Sequence, residues 1–186
     1  MEADWSAEIG PDLPVIVVPW HGFVDLRKEV LDLRKISEAA GNPALAHALH
    51  TLHLPGSPVF TSKCDLWPLG AADLDPYELD AGQESARTGI ACYIDILVRD
   101  PKLFAAFDLH EAWVRTAALS LRQVKQPLCR ADWVLRLAVV NHDEGYGITL
   151  YVTACSNSLS AAQSVFATAL NHAITVTIET APSTGE

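Results

Sequence analysis

Residues 89–100, GIACYIDILVRD, set Ile90, Cys92, Ile94, Ile96 and Val98 on one side of an extended chain. Tyr93, Asp95 and Arg99 fall on the other, with Leu97 the one apolar member of that second set. A period of two marks a half-buried strand, and such a strand requires a sheet with one oily face and a layer to cover it. The cover follows in sequence. Residues 100–125 open on Asp-Pro and keep Leu103, Phe107, His110, Val114, Ala117 and Leu121 along one stripe, the pattern of a long helix packed on a sheet.

Two more alternating segments come next, ADWVLRLAVV at 131–140 and GITLYVTA at 147–154. They are joined by NHDEGYG, whose Asn, Asp and Gly residues suit a hairpin loop. Asn157 or Ser158 is placed to cap a helix over LSAAQSVFATALNHA, and the β-branched ITVTIE at 174–179 reads as a closing strand. The order from residue 89 is therefore strand, helix, strand, strand, helix, strand. That order predicts an α+β fold in which residues 89–180 form a ferredoxin-like βαββαβ sandwich, a topology that carries no functional content of its own.

The first 88 residues read as an N-terminal αβ extension of the same domain, which spans residues 1–186. Residues 1–12 are expected to be a flexible start and 181–186 a disordered tail. LPVIVVP, at 13–19, is a β-branched run fenced by prolines and predicts a short strand. In VDLRKEVLDLRKISEAAG, Leu26, Val30 and Leu33 share a helical face and Gly41 is a stop, so an amphipathic helix is expected. Asn42 and Pro43 have the chemistry of an N-cap and first helical residue, predicting a second helix to about His53. SPVFTSKCDLWPL, at 57–69, predicts a strand with Phe60, Cys64 and Leu66 on one face and Thr61, Lys63, Asp65 and Trp67 on the other. Whether these N-terminal strands join the main sheet is left open by the pattern.

Composition narrows the function. Net charge is −10, which opposes nucleic-acid phosphates and anionic lipid alike; no nucleic-acid or membrane partner is expected. The N-terminus is acidic and has no secretory h-region, which with four cysteines in no C-x-x-C pair points to a cytoplasmic protein with structural thiols. There is no G-x-S-x-G, no G-x-x-x-x-G-K and no G-x-G-x-x-G, so neither a nucleophile elbow nor a phosphate loop is indicated, and no cofactor is expected.

Two clusters invite a metal reading and both decline it. His47, His50 and His53 fan over the side of their helix opposite Leu45, Leu49 and Leu52, with no local third ligand or orienting carboxylate, and read as a solvated face. In AADLDPYELDAGQE, Asp73, Asp75 and Glu84 fit positions of a calcium loop, but Tyr77 and Glu78 stand where it needs a ligand and its turning glycine. An ordinary acidic loop remains.

The candidate site is the polar side of the sheet. If the apolar faces share one core under the helices, Tyr93, Asp95 and Arg99, Asp132, Val134 and Arg136, and Thr149, Tyr151 and Thr153 gather on the opposite face. Lys63, Asp65 and Trp67 extend it if their strand joins. That surface is either the water-facing side of an antiparallel sheet, a face covered by the N-terminal helices or by a second subunit, or a pocket for a ligand or protein partner built from Tyr93, Asp95, Arg136 and Tyr151. Two functions follow: a small binding or regulatory module, possible as a homodimer, or a small metal-dependent or acid–base hydrolase or isomerase using Asp65, Asp95 or His110.

Overall fold

The structure, a computed structural model, describes residues 1–183. It is a mixed α+β fold with a six-stranded sheet. The strands are β1 (Glu2–Glu8), β2 (Ile16–Val18), β3 (Val59–Gly70), β4 (Thr88–Val98), β5 (Cys129–Val140) and β6 (Asp143–Ser156). The helices are α1 (Ser37–Gly41), α2 (Pro43–Leu52), α3 (Pro101–Phe104), α4 (Phe107–Leu121) and α5 (Leu159–Glu179), with a 3-10 turn at Val30–Lys35. The sheet runs β1-β5-β6-β4-β3, and β2 also pairs with β5, beyond the end of β1. Both N-terminal strands join β5 in parallel; the other pairings are antiparallel.

The three long helices cover one face: α4 lies on β1 and β5, α5 crosses β6 and β4, and α2 sits beside α5 against β3. The strands turn Trp133, Leu135, Ile148, Leu150, Ile94 and Ile96 toward them, each fully or almost fully buried. At about 25 cal/mol per Å² of apolar surface, this layer supplies most of the drive to fold. Trp133 Nε1 donates to Thr177 Oγ1 at 2.9 Å, and Trp113 Nε1 donates to the Thr177 carbonyl at 2.9 Å. Two buried indoles are thereby satisfied by one turn of α5.

That turn corrects the expected closing strand. Residues 174–179 continue α5 because the apolar stripe of Ala162, Phe166, Ala169, Leu170, Ala173, Ile174 and Thr177 never breaks its helical spacing. Thr175 and Thr177 return their hydroxyls to the carbonyls of Asn171 and Ala173. β-branching costs a helix only a few tenths of a kcal/mol per residue, roughly, and packing overrides it. The βαββαβ order is therefore not completed: the sheet position beside β4 is taken by β3, from the N-terminal half.

Four further expectations differ. The supposed flexible start contains β1, paired residue for residue with Arg130–Arg136. The helix expected over 24–41 is broken instead into turns, the 3-10 turn Val30–Lys35 and the short α1. Asp25 accepts from the backbone N–H and guanidinium of Arg27, Glu29 accepts from Leu31 N, and these local bonds compete with helix formation. The long helix breaks at Ala105–Ala106 into α3 and α4, which lets Phe104 press on Gly145, where an added Cβ would stand 2.5 Å from the Phe104 carbonyl oxygen. The hairpin loop is tighter than the sequence suggested: Asn141 and His142 alone make the turn, both at positive φ. Of the expected disordered tail, residues 184–186 lie outside the described residues.

The histidines of α2 separate. His47 and His50 remain on the outer side, while His53 is buried, with Nδ1 2.8 Å from the Leu49 carbonyl and Nε2 accepting from Thr61 N–H at 3.3 Å. Both contacts are satisfied only by the neutral ring. Burial holds the pKa of His53 below the usual range, and burial does the same for His110 in α4. Each ring binds a proton more readily in the unfolded chain, so the stability it contributes is present above about pH 6.5 and is lost as pH falls through that value toward the lower folded pKa. Urea denaturation at pH 7.5 and 5.5 is expected to show a lower midpoint at 5.5. His53→Gln, combined with His110→Phe, is expected to flatten that difference. An unchanged difference in the double variant would remove these rings as its cause.

Candidate functional site

The face away from the helices is sorted by register. Val134, Thr149 and Asp95 make one cross-strand row, and Asp132, Tyr151, Tyr93 and Asp65 make the next. At one end of this face the sheet curls. β2 is laddered to β5, yet the Val17 carbonyl accepts from Ser62 Oγ of β3 at 3.1 Å, and the Ser62 carbonyl accepts from Trp20 Nε1 at 3.4 Å. Since β5 and β3 lie on opposite sides of β6 and β4, one short strap touching both means that they converge across the polar face and form a cup.

The floor of the cup is apolar. Gly147 lies there because a Cβ would stand 2.9 Å from Leu97 Cδ2 and 3.0 Å from Ile16 Cδ1. β2 alternates, sending Ile16 and Val18 inward and leaving Val17 exposed. Above the floor is a cavity of about 240 Å³ lined by Pro14–Val17, Lys63, Tyr93, Asp95, Arg136, Thr149 and Tyr151. The structure thus brings Tyr93, Asp95, Arg136 and Tyr151 to one concavity. A β-bulge between Thr61 and Cys64 accompanies the arrival of Lys63 beside them.

A polar relay crosses the cavity wall. Arg136 Nε donates to Thr149 Oγ1 at 3.0 Å, and Thr149 Oγ1 donates to Asp95 Oδ1 at 2.7 Å. Arg136 Nη2 reaches the Tyr151 hydroxyl at 3.4 Å. Its Nη1 lies 2.8 Å from Glu8 Oε2 of β1, an ion contact without hydrogen-bond alignment. Burial pushes the Asp95 carboxyl above the ordinary carboxylate range, opposed by the Thr149 hydrogen bond and by the charges of Arg136 and Lys63. Tyr93 is shifted upward too, first by burial and then by the Asp95 and Asp65 carboxylates. Among the described residues, no donor reaches Asp95 Oδ2.

Aromatic rings continue the surface sideways. Tyr93 and Tyr151 have centroids 6.1 Å apart, and Trp67 lies 6.4 Å from Tyr93. Trp67 borders a second hollow of about 280 Å³ against the acidic loop, with Asp73, Asp75, Glu78 and Asp132 around it. In that hollow Arg130 closes on Asp132 through both carboxylate oxygens.

No family model, curated protein or solved structure matches this chain. Its function is therefore read from the geometry alone. Three residues of the expected face lie elsewhere or serve otherwise: Arg99 leaves the face to donate to the Val59 carbonyl, Asp132 is engaged by Arg130, and Val134 is buried. The candidate acid–base residues do not assemble. Asp65 is exposed on the polar face, whereas His110 lies under α4 on the helix side, its Nδ1 2.9 Å from the Ala106 carbonyl and its ring against Trp113 and Tyr146. No three His, Cys, Asp or Glu side chains among the described residues gather as a metal set, and no helix is long and apolar enough to cross a membrane. All four cysteines are free thiols. Burial, with Glu38, Asp65 and Asp95 nearby, pushes the Cys64 thiol up to about 12, so it stays protonated and is a poor nucleophile.

Residues that the sequence had not marked as site members complete the cavity. Thr149 and Lys63 were visible on the right face by alternation, but their roles depend on who stands across from them. Glu8 carried no signal, because nothing in an acidic N-terminus says that a strand will lay it beside Arg136.

Proposed function

We propose that this chain is a small-ligand-binding module without catalytic activity, its ligand seated in the cup between β2 and the polar sheet face. The observation that carries this reading is the convergence of Tyr93, Asp95, Arg136 and Tyr151, from three different strands, on one cavity whose apolar side is Pro14–Val17. A concave site with few, fixed polar groups is what recognition of a small molecule needs. The relay from Arg136 through Thr149 fixes the Asp95 carboxylate before any ligand arrives, which lowers the cost of ordering it on binding. With His110 on the other side of the sheet, no histidine or second carboxylate among the described residues lines the cup beside Asp95.

Screening the full chain against a library of small polar metabolites by amide-resolved NMR tests the proposal. Saturable shifts confined to residues 15–17, 63, 93–95, 136 and 149–151 are expected. They should be weakened about tenfold or more by Asp95→Asn, as befits loss of a charge-assisted hydrogen bond. The competing occupant of the cup is a second copy of the chain, for which the exposed Leu13, Val15 and Val17 at its rim provide apolar area. A homodimer in light scattering that buries the cup, with no small molecule shifting these resonances, would overturn the ligand reading.

A further inference from the structure

The charges around the cup have an unusual balance. Arg136 is already engaged: Glu8 faces its Nη1, Thr149 takes its Nε proton, and Tyr151 stands at its Nη2. Asp95 is 8% exposed and holds one protein hydrogen bond, to Oδ1, with no cation within salt-bridge distance among the described residues. A buried carboxylate in that situation is under-compensated, because one hydroxyl alone bonds it and the charges of Arg136 and Lys63 act on it from beyond contact distance. Lys63 lines the same cavity and makes no ion pair there either; its Nζ lies 4.9 Å from the centroid of the Trp20 ring. The two residues line one space without closing on each other.

A ligand carrying only a positive charge would meet Lys63 and the Arg136 guanidinium. One carrying only a negative charge would meet Asp95. We propose that the cup takes a small zwitterion of the amino-acid class, its ammonium group on Asp95 Oδ2 and its carboxylate on Lys63. This rests on the ligand-binding reading above and names the ligand. Tyr93 and Tyr151, in the cross-strand row next to Asp95, line the same cavity, and aromatic faces attract such a cation. The cavity volume, about 240 Å³, lies below the roughly 300–1,000 Å³ of pockets for drug-sized molecules, so the side chain is short. The Thr149 hydroxyl, donating to Oδ1, leaves the second carboxylate oxygen as the acceptor for the ammonium group.

Titrating the full chain with L-alanine, ethylamine and propionate, followed by amide NMR, separates the possibilities. Saturable shifts around residues 63, 95 and 149 are expected with alanine, and affinity at least about tenfold lower with either singly charged compound, since each forfeits one charge-assisted contact. Lys63→Met should weaken alanine binding about tenfold and Lys63→Arg should largely preserve it. Lys63 is exposed, so these variants keep the test open should Asp95→Asn fold poorly. Ethylamine or propionate binding as tightly as alanine would overturn the zwitterion assignment while leaving the cup a ligand site. Silence from glycine, alanine and serine, with some other small molecule moving the same resonances, would overturn it in the same way. Silence from every compound would overturn both readings.

Discussion

Arg136→Met is expected to lower the unfolding free energy by about 3 kcal/mol, within the range for removing one member of a buried charged network. The methionine roughly replaces the length and apolar stem of the arginine, so the loss isolates the guanidinium. Glu8 is 43% exposed at its side chain and can return to water, so that ion pair contributes little. The cost falls on the other side of the network, where Thr149 loses the donor to its Oγ1 and Asp95 loses one of the two cations that favour its charged form. Two measurements check it: the urea midpoint falls, and the Asp95 carboxyl titrates at still higher pH than in the wild type, because an opposing charge has gone while the burial remains. A variant with a wild-type Asp95 titration would show that Arg136 does not act on that carboxylate.

Trp133→Ala should be costlier, about 4 kcal/mol, as for other large-to-small changes in a packed core. Trp133 is fully buried in the middle of β5 and its indole is the group that ties the sheet to Thr177. Trp133→Phe separates the two contributions: the ring is largely kept and only the hydrogen bond goes, for a loss nearer about 1–2 kcal/mol. Equilibrium urea melts of the two variants would establish the ratio. Equal losses would mean that the indole N–H, rather than its volume, is what the core requires.

The legibility of this fold in its sequence followed the strength of the local repeat. Ile90 to Val98 and Asp132 to Arg136 alternate cleanly, and because the period of a strand is two, the alternation alone places Tyr93, Asp95, Arg136 and Tyr151 on one face without knowledge of the strand order. Asn42-Pro43 capped α2 as its chemistry requires, with Asn42 Oδ1 accepting from Leu45 N. The failures lie where local preference and long-range packing disagree. ITVTIE has the side chains of a strand, and it is helix because it continues the buried stripe of α5 and meets Trp113 and Trp133, more than forty residues earlier. Leu26, Val30 and Leu33 have the spacing of a helix but make no fully buried stripe to reward it: Leu26 is buried while Val30 and Leu33 are only half-buried. β1 was invisible because a parallel edge strand is specified by its partner, Arg130–Arg136, more than by its own residues.

The cup was legible as a set of residues and illegible as a cavity. Alternation supplies a surface; curvature turns a surface into a vessel. The curvature depends on the short strap at Ile16–Val18 reaching from β5 to Ser62 and on Gly147 yielding space to Leu97 and Ile16, neither of which a single-strand pattern encodes.

Because the sheet is one residue thick, its two surfaces answer to different demands. The indoles, leucines and isoleucines under the helices are fixed by the need to stay folded, while Tyr93, Tyr151 and Lys63 on the far side contribute little to that core. Chemical taste in such a protein can drift at these three positions with the scaffold untouched, whereas at Arg136, which serves both surfaces of the argument between charge and burial, a new preference would have to arrive together with a change at Thr149 or Glu8.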